Sequence, residues 1–258
     1  MSDISACSGK FVWHDLMCAD VKAALPFYSA LFPEWRIQEM DMGGGIIYRM
    51  IHVGDRQIGG FVPLDPAHGM PSHWIGYVAV ADCDATIAKF ERLGGKALAP
   101  AFSVPEIGRF AFVRDPQGAA INLFQLEKPL PLPELPAIGR VCWNELLTTH
   151  INAARKFYVE IFGWVTSDID MGPMGTYTVF QLAGKDNCGG MNMPPGVEAP
   201  PHWMHYFFVD SVDARTEKAT SLGAKVCAPP ADIPGIGRFS VVADPIGAAF
   251  ALFQPPPE

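Results

Sequence analysis

The sequence lacks paired-cysteine spacing, a basic cluster, a long apolar run and the usual density of charge, and each lack removes a class of function. Its six cysteines, Cys7, Cys18, Cys83, Cys142, Cys188 and Cys227, include no Cys-x-x-Cys. Free thiols of a reducing compartment are expected, not a dithiol redox centre or a zinc knuckle. Lys and Arg nowhere gather into a patch, and the net charge is −8. Nucleic acid and anionic membrane surfaces are therefore not expected partners. No stretch reaches the roughly 18 apolar residues of a spanning helix. Segment 1–10 has neither the basic region nor the apolar run of an export signal, so a cytoplasmic protein is expected. A phosphate-binding glycine loop, a dinucleotide fingerprint and a nucleophile elbow are also missing. Charged residues make up only 18% of the 258-residue chain and apolar ones 49%. Those proportions favour a large buried core and a subunit contact; a small-molecule ligand and a monomer or homodimer are the partners expected of the chain.

What the chain does have is a repeat. Trp13-His14-Asp15-Leu16 returns as Trp143-Asn144-Glu145-Leu146, Phe27-Tyr28 as Phe157-Tyr158, and Gly59-Gly60 as Gly189-Gly190. Pro71-Ser72-His73-Trp74 returns as Pro200-Pro201-His202-Trp203, and Ile107-Gly108-Arg109-Phe110 as Ile236-Gly237-Arg238-Phe239. Asp115-Pro116-Gln117-Gly118 returns as Asp244-Pro245-Ile246-Gly247, and Phe124-Gln125 as Phe253-Gln254. So many ordered matches at nearly one spacing mark a tandem duplication. Segment 127–136 carries four prolines and reads as a stiff linker. The expected division is a first domain over 1–126, a linker over 127–137 and a second domain over 138–258.

Within a copy, the alternation of residues 11–18 predicts a strand. Asp20 is placed as the cap of a helix whose Phe27, Tyr28, Leu31 and Phe32 form one apolar stripe. Pro26 inside that helix is tolerable only near its first turn. Strands are predicted at 46–52 and 57–62 around a Gly54-Asp55 turn, then at 74–80, 96–99, 110–114 and 121–125. A second helix, capped by Asp82 or Asp84, ends at Gly94-Gly95. Each half-copy thus reads β-α-β-β-β, and the chain is α+β, four such modules in two tandem domains.

A strand, an aspartate and a helix carrying Phe-Tyr, followed by a closing Asp-Pro-x-Gly-x-x-[Ile/Phe]-x-Leu-Phe-Gln, resembles the vicinal-oxygen-chelate superfamily of glyoxalases, bleomycin-resistance proteins and extradiol dioxygenases. The resemblance covers nearly the whole chain and looks most like the two-domain, glyoxalase-like members. It implies cupped mixed sheets. It also implies one divalent metal per domain, held by His and Glu at module edges, and lyase or dioxygenase chemistry. At the implied ligand positions this chain has Trp13 and Trp143, Ile75 and Met204, and Asn122 and Ala251. Apart from the amide oxygen of Asn122, none is a hard-metal ligand, so no metal is expected at the family position. A shifted ligand set would recruit His14 and His73, or His202 and His205. His14 alternates with Trp13 and points the other way. His73 and His202 follow prolines and read either as pocket-lining residues or as hydrogen-bonded junction residues.

If the opening strand keeps its register, Asp15 lies on the face of Trp13, and Glu145 on that of Trp143. A buried carboxylate is costly unless paired, so both need partners: Arg49, Tyr48, Tyr77, Tyr177 and Tyr206 are the candidates. Asp15 and Glu145 are candidate catalytic bases or polar anchors, with Trp13, Trp143, Tyr48, Tyr77, Tyr177, Tyr206, His73, His202 and Asn122 as candidate ligand-binding residues. A purely structural hydrogen bond is the competing role for the two carboxylates. Arg109 and Arg238 read either as carboxylate clamps or as surface ion pairs.

Overall fold

The computed structural model describes residues 4–65, 69–130, 137–172 and 175–256. After one 3₁₀ turn at Ile4–Cys7, the first module comprises β1 (Phe11–Cys18), α1 (Val21–Leu31), β2 (Trp35–Asp41), β3 (Ile47–Val53) and β4 (Arg56–Pro63). The second comprises β5 (His73–Ala79), α2 (Cys83–Arg92), β6 (Lys96–Ala97), β7 (Phe102–Val104), β8 (Gly108–Arg114) and β9 (Ala120–Leu126). The third has β10 (Val141–Thr148), α3 (Ile151–Phe162), β11 (Val165–Asp170), β12 (Thr176–Leu182) and β13 (Lys185–Asn192). The fourth has β14 (His202–Phe208), α4 (Val212–Ser221), β15 (Lys225–Ile233), β16 (Gly237–Ala243) and β17 (Ala249–Gln254). The α+β architecture of four βαβββ modules is as the sequence predicts. Most of the linker segment lies outside the described residues.

Local chemistry explains the helices. Asp20 and Asp82 accept from the N–H groups of Ala23 and Ala85, and Ser211 from Ala214, which satisfies otherwise orphaned donors. The third helix has His150 at its cap position with no such side-chain bond. Instead Asn192, from β13, accepts from Ile151 N–H at 2.7 Å. Pro26 sits in the second turn of α1, deeper than the sequence reading allows. Both Pro26 and Lys22, whose carbonyl loses its helical partner, are exposed, so solvent satisfies the freed group. Two strands carry no alternation that a sequence reading could catch. β2 and β11 lie at sheet edges and are mostly exposed. They exist by antiparallel pairing with β3 and β12.

Two mixed sheets result. One runs β2-β3-β4-β1-β5-β9-β8-β6 with β7 beside β8, and the other β11-β12-β13-β10-β14-β17-β16-β15. The pairs β1–β4, β10–β13, β5–β9 and β14–β17 are parallel. The sheets thus follow the two halves of the sequence. The compact units do not. One unit comprises Met1–Trp13, Gly76–Leu132 and Trp143–Met204, and the other His14–Ile75, Pro133–Cys142 and His205–Glu258. These are called the 2–3 unit and the 1–4 unit after the modules that dominate them.

Each unit has its own apolar core. In the 1–4 unit, Ala24, Phe27, Tyr28 and Leu31 of α1 pack with Leu16, Ile51, Phe61, Phe207 and Phe250. In the 2–3 unit, Ala154, Phe157, Tyr158 and Ile161 of α3 pack with Val78, Phe90, Ile121, Leu123 and Phe180. At the centre of each core lies the same hydrogen-bonded chain. Trp203 Nε1 donates to the Tyr158 hydroxyl at 3.1 Å, which donates to Asp115 Oδ2 at 3.0 Å. Asp115 Oδ1 accepts from the N–H groups of Gln117, Gly118 and Ala119. In the 1–4 unit, Trp74 Nε1 donates to the Tyr28 hydroxyl and Tyr28 to Asp244 Oδ2, while Asp244 Oδ1 accepts from Ile246 and Ala248. The Phe-Tyr of the helix and the Asp-Pro-x-Gly turn are therefore two ends of one device. Burial raises both carboxyls, and the backbone and tyrosine donors pull them back. Replacing Tyr158 or Tyr28 by Phe strands a buried tryptophan N–H and a buried carboxylate oxygen. Denaturant unfolding should show a loss of about 2–4 kcal/mol for either variant; a loss below about 0.5 kcal/mol would contradict this role for the chain.

Candidate functional site

Strand alternation separates two faces in every module. In module 1, Leu16, Ile51 and Val53 face the core, so Asp15 on β1 and Tyr48, Met50 and His52 on β3 face away from it. There the Tyr48 hydroxyl donates to Asp15 Oδ1 at 2.7 Å. Asp15 is 4% exposed. In module 3, Leu146 and Phe180 face the core, and Glu145, Trp143 and Tyr177 face away. Trp143 Nε1 donates to the Tyr177 hydroxyl at 2.7 Å, and Tyr177 hydrogen-bonds to Glu145. Burial, then the adjacent Glu145 charge, raises the Tyr177 phenol far above its ordinary range, while the tryptophan donor opposes them. Tyr177 therefore stays protonated and donates to the carboxylate.

A glycine makes each pair possible. Gly60 stands opposite Asp15 and Gly189 opposite Glu145 in the β1–β4 and β10–β13 ladders. A Cβ on Gly60 would lie 2.3 Å from the Tyr48 ring and hydroxyl, and one on Gly189 would lie 2.2 Å from the Tyr177 hydroxyl. The phenol lies across the bare glycine to reach the carboxylate on the next strand. In space Gly60 therefore matches Gly189, although the repeated Gly-Gly reads by eye as Gly59-Gly60 with Gly189-Gly190.

The remaining expected residues distribute as follows. Arg49 alternates with Tyr48, faces the other way and pairs with Glu39 at 3.0 Å; of these two neighbours, Tyr48 is the one that bonds to Asp15. Tyr77 is buried on β5, ring to ring with Phe110 and Phe124. Asn122 is buried opposite Tyr77 in the β5–β9 ladder. Tyr206 is buried on β14 with Phe239 beside it. Trp13, half-buried, belongs to the 2–3 unit. His73 and His202 each turn Nδ1 to the carbonyl of the proline two residues earlier, at 2.8 Å. His14 meets His205 edge to face, with ring centres 4.9 Å apart. Arg109 grips Asp84 with two hydrogen bonds, and Arg238 grips Asp213 in the same way. Both aspartates lie in the first turn of a helix, so these arginines hold helix starts to the sheet as surface pairs.

Among the described residues no cluster of three or more His, Cys, Asp or Glu has the geometry to hold a metal ion. The half-buried Trp13 and Trp143 and the buried Ile75, Met204 and Ala251 at the implied ligand positions do not supply one either. The donor set does not fit the family's metal.

His52 is the buried residue that pattern reading passed over. It is 5% exposed, neither ring nitrogen has a hydrogen-bond partner, and burial followed by the nearby Arg36 charge lowers its pKa. A histidine lowered in the folded state stabilises above its unfolded pKa of about 6.5, and this contribution is lost as the pH falls through that value. Thermal unfolding from pH 7.5 to 5.5 should show that loss, and His52→Leu should flatten it; an unchanged slope would refute the assignment. Gly60→Ala and Gly189→Ala should each expel a tyrosine and weaken the fold by about 1–3 kcal/mol. A crystal structure of either variant with the dyad intact would contradict the argument.

Comparison with known proteins supplies the family. The sequence model described as the Glyoxalase/Bleomycin resistance protein/Dioxygenase superfamily matches residues 10–123 and again 138–252. The Mycobacterium tuberculosis protein named "Putative glyoxylase CFP32" is 38% identical over 249 residues, 95% of each chain. The Streptomyces peucetius protein named "Anthracycline biosynthesis protein DnrV" is 31% identical over 260 residues, covering 95% of this chain and 93% of that one. The crystal structure of the 2,3-dioxygenase LapB from Pseudomonas sp. KL28 superposes with a TM-score of 0.63 at 14% identity, covering 96% of this chain and 93% of that one. With the family model matched in both halves and the modules of both halves in place, this chain belongs to the glyoxalase/bleomycin-resistance/dioxygenase superfamily.

Proposed function

We propose that this chain is a metal-independent member of the superfamily that holds a small apolar or aromatic molecule, with Asp15–Tyr48 and Glu145–Tyr177 as its polar anchors. The observation that carries this reading is the recurrence of the same phenol–carboxylate dyad in both copies, on the sheet face away from the core, where the fold itself does not require it. A carboxylate can accept several hydrogen bonds at once, so each can hold a ligand donor alongside its tyrosine. A carboxylate in a water-poor site beside a protonated phenol is also suited to take a proton from a bound substrate. In the 2–3 unit Trp143 and Tyr77 offer aromatic surface, with Trp13 on the adjoining stretch of β1; Tyr206 offers it in the 1–4 unit. The aromatic ring system of the anthracyclines, in whose biosynthesis the Streptomyces relative is named, is in keeping with such a ligand.

The reading is tested in two steps. Elemental analysis of protein purified without chelator should find far less than one divalent ion per chain. One tightly held ion per domain, lost on His73→Ala, overturns metal independence. A thermal-shift screen against small aromatic compounds should find stabilising ligands, and Asp15→Asn with Glu145→Gln should weaken their binding at least tenfold in a protein that remains folded. Binding untouched by both substitutions would rule the dyads out as anchors. Recovery of the ligand unchanged would identify a sequestering protein; turnover would identify an enzyme.

A further inference from the structure

The sheet face of module 2 differs from its counterpart in module 4 in a way that the fold does not demand. In module 2, Ala111, Val113, Ile121 and Leu123 face the core. The alternate residues Phe110, Phe112, Asn122 and Phe124 therefore face away with Tyr77. Phe110 stacks on Phe124 with centres 4.3 Å apart, and Phe102 from β7 stacks on Phe110 at 5.6 Å. Phe102 also meets Phe112 edge-on at 5.4 Å. Phe110 and Phe112 are partly exposed and Phe102 is 42% exposed. A single amide sits among these rings. Asn122 stands between Tyr77 and Phe112 in the ladder, is 2% exposed, and its Oδ1 has no hydrogen-bond partner. A buried acceptor without a donor costs free energy, so a residue placed there for packing alone would be apolar.

Module 4 supplies the internal control. Its ladder pairs Tyr206 with Ala251 and Val241 with Ala251, the same positions as Tyr77, Asn122 and Phe112. There the amide is alanine and the ring of Phe112 is valine; the position of Phe102 is Ala231. The same strands form, and Ala251 is fully buried. Tyr77, Phe110 and Phe124 keep aromatic counterparts in Tyr206, Phe239 and Phe253, but the fold accepts small apolar residues at the other three positions, so Phe102, Phe112 and the amide of module 2 answer to something else.

We infer that the Tyr77, Phe110, Phe112 and Asn122 face of module 2 is a subsite for a planar aromatic ring bearing a hydrogen-bond donor, a phenolic hydroxyl in the simplest case, which donates to Asn122 Oδ1. Module 4 keeps Tyr206 and Phe239 but has neither the amide nor the Phe112 ring, so the two copies have divided their roles and a chain takes up one such ligand. This rests on the ligand-binding reading above and names the class of ligand.

The test uses the full chain and two probes of similar shape, 2-naphthol and 2-methoxynaphthalene, which lacks the donor. Calorimetric titration should give one site per chain and at least tenfold tighter binding of 2-naphthol. Asn122→Ala, the residue module 4 already carries, should bring 2-naphthol to the level of the methoxy compound and leave the latter unchanged. Phe112→Val should weaken both probes alike. Equal affinities in the parent protein, a difference that survives Asn122→Ala, or two equivalent sites overturn the inference. If the difference instead disappears in Asp15→Asn or Glu145→Gln, the donor goes to a dyad; the inference then fails while the general ligand-binding reading stands. Absence of binding by both probes also overturns it.

Discussion

An aspartate buried beneath a helix tyrosine is the constraint around which each unit is arranged. Asp115 and Asp244 are taken out of water, which raises their pKa values and would be unfavourable alone. The Asp-Pro-x-Gly turn folds its own N–H groups onto one carboxylate oxygen, and the tyrosine occupies the other. The tyrosine can do so only if α3 or α1 lies at one depth and one rotation against the sheet. The tryptophan that donates to the tyrosine then fixes the first strand of the neighbouring module. Three side chains thereby specify helix position, turn geometry and strand approach together. Apolar packing supplies most of the driving force in such a core, but it is less directional than this chain.

The same chemical grammar appears on the opposite face of the sheet in a different setting. Trp143, Tyr177 and Glu145 repeat the tryptophan–phenol–carboxylate order of the core, yet they lie away from the helices. Tyr48 and Asp15 carry the phenol–carboxylate half of it. The contrast is instructive because the core chain ends on a carboxylate folded into its own turn. The dyads instead join β1 to β3 and β10 to β12 across a bare glycine on the strand between them. They concentrate polar groups on the sheet face that the helices do not cover.

Much of this was legible in the sequence, and the failures have definite causes. The repeat, the four modules, the caps at Asp20 and Asp82 and the burial of Asp15 and Glu145 all follow from spacing and alternation. The partner of each carboxylate was named only among several, because Tyr48 and Arg49 are adjacent and register decides which one arrives. The edge strands β2 and β11 were hidden, since an exposed edge carries no apolar period. Phe110 and Phe112 could have been placed beside Tyr77 and Asn122 by extending the alternation of β8. The duplication itself hid one fact. With Tyr28 and Tyr158 in identical settings, no local pattern tells Asp115 which tyrosine is its own.

That choice governs how the chain comes together in time. Asp115 takes a tyrosine 43 residues away, whereas Asp244 takes one 216 residues away. The entropy of closing the longer loop exceeds that of the shorter by only about 1.4 kcal/mol, so the difference in final stability is small. The difference in order of assembly is larger. During synthesis the 2–3 unit has every residue it needs well before the chain ends, while the aromatic stripe of α1 stays without its partner until the last strand, β17, is made. The 2–3 unit is thus the one whose residues are complete first, and module 1 the one whose tyrosine waits longest for its aspartate.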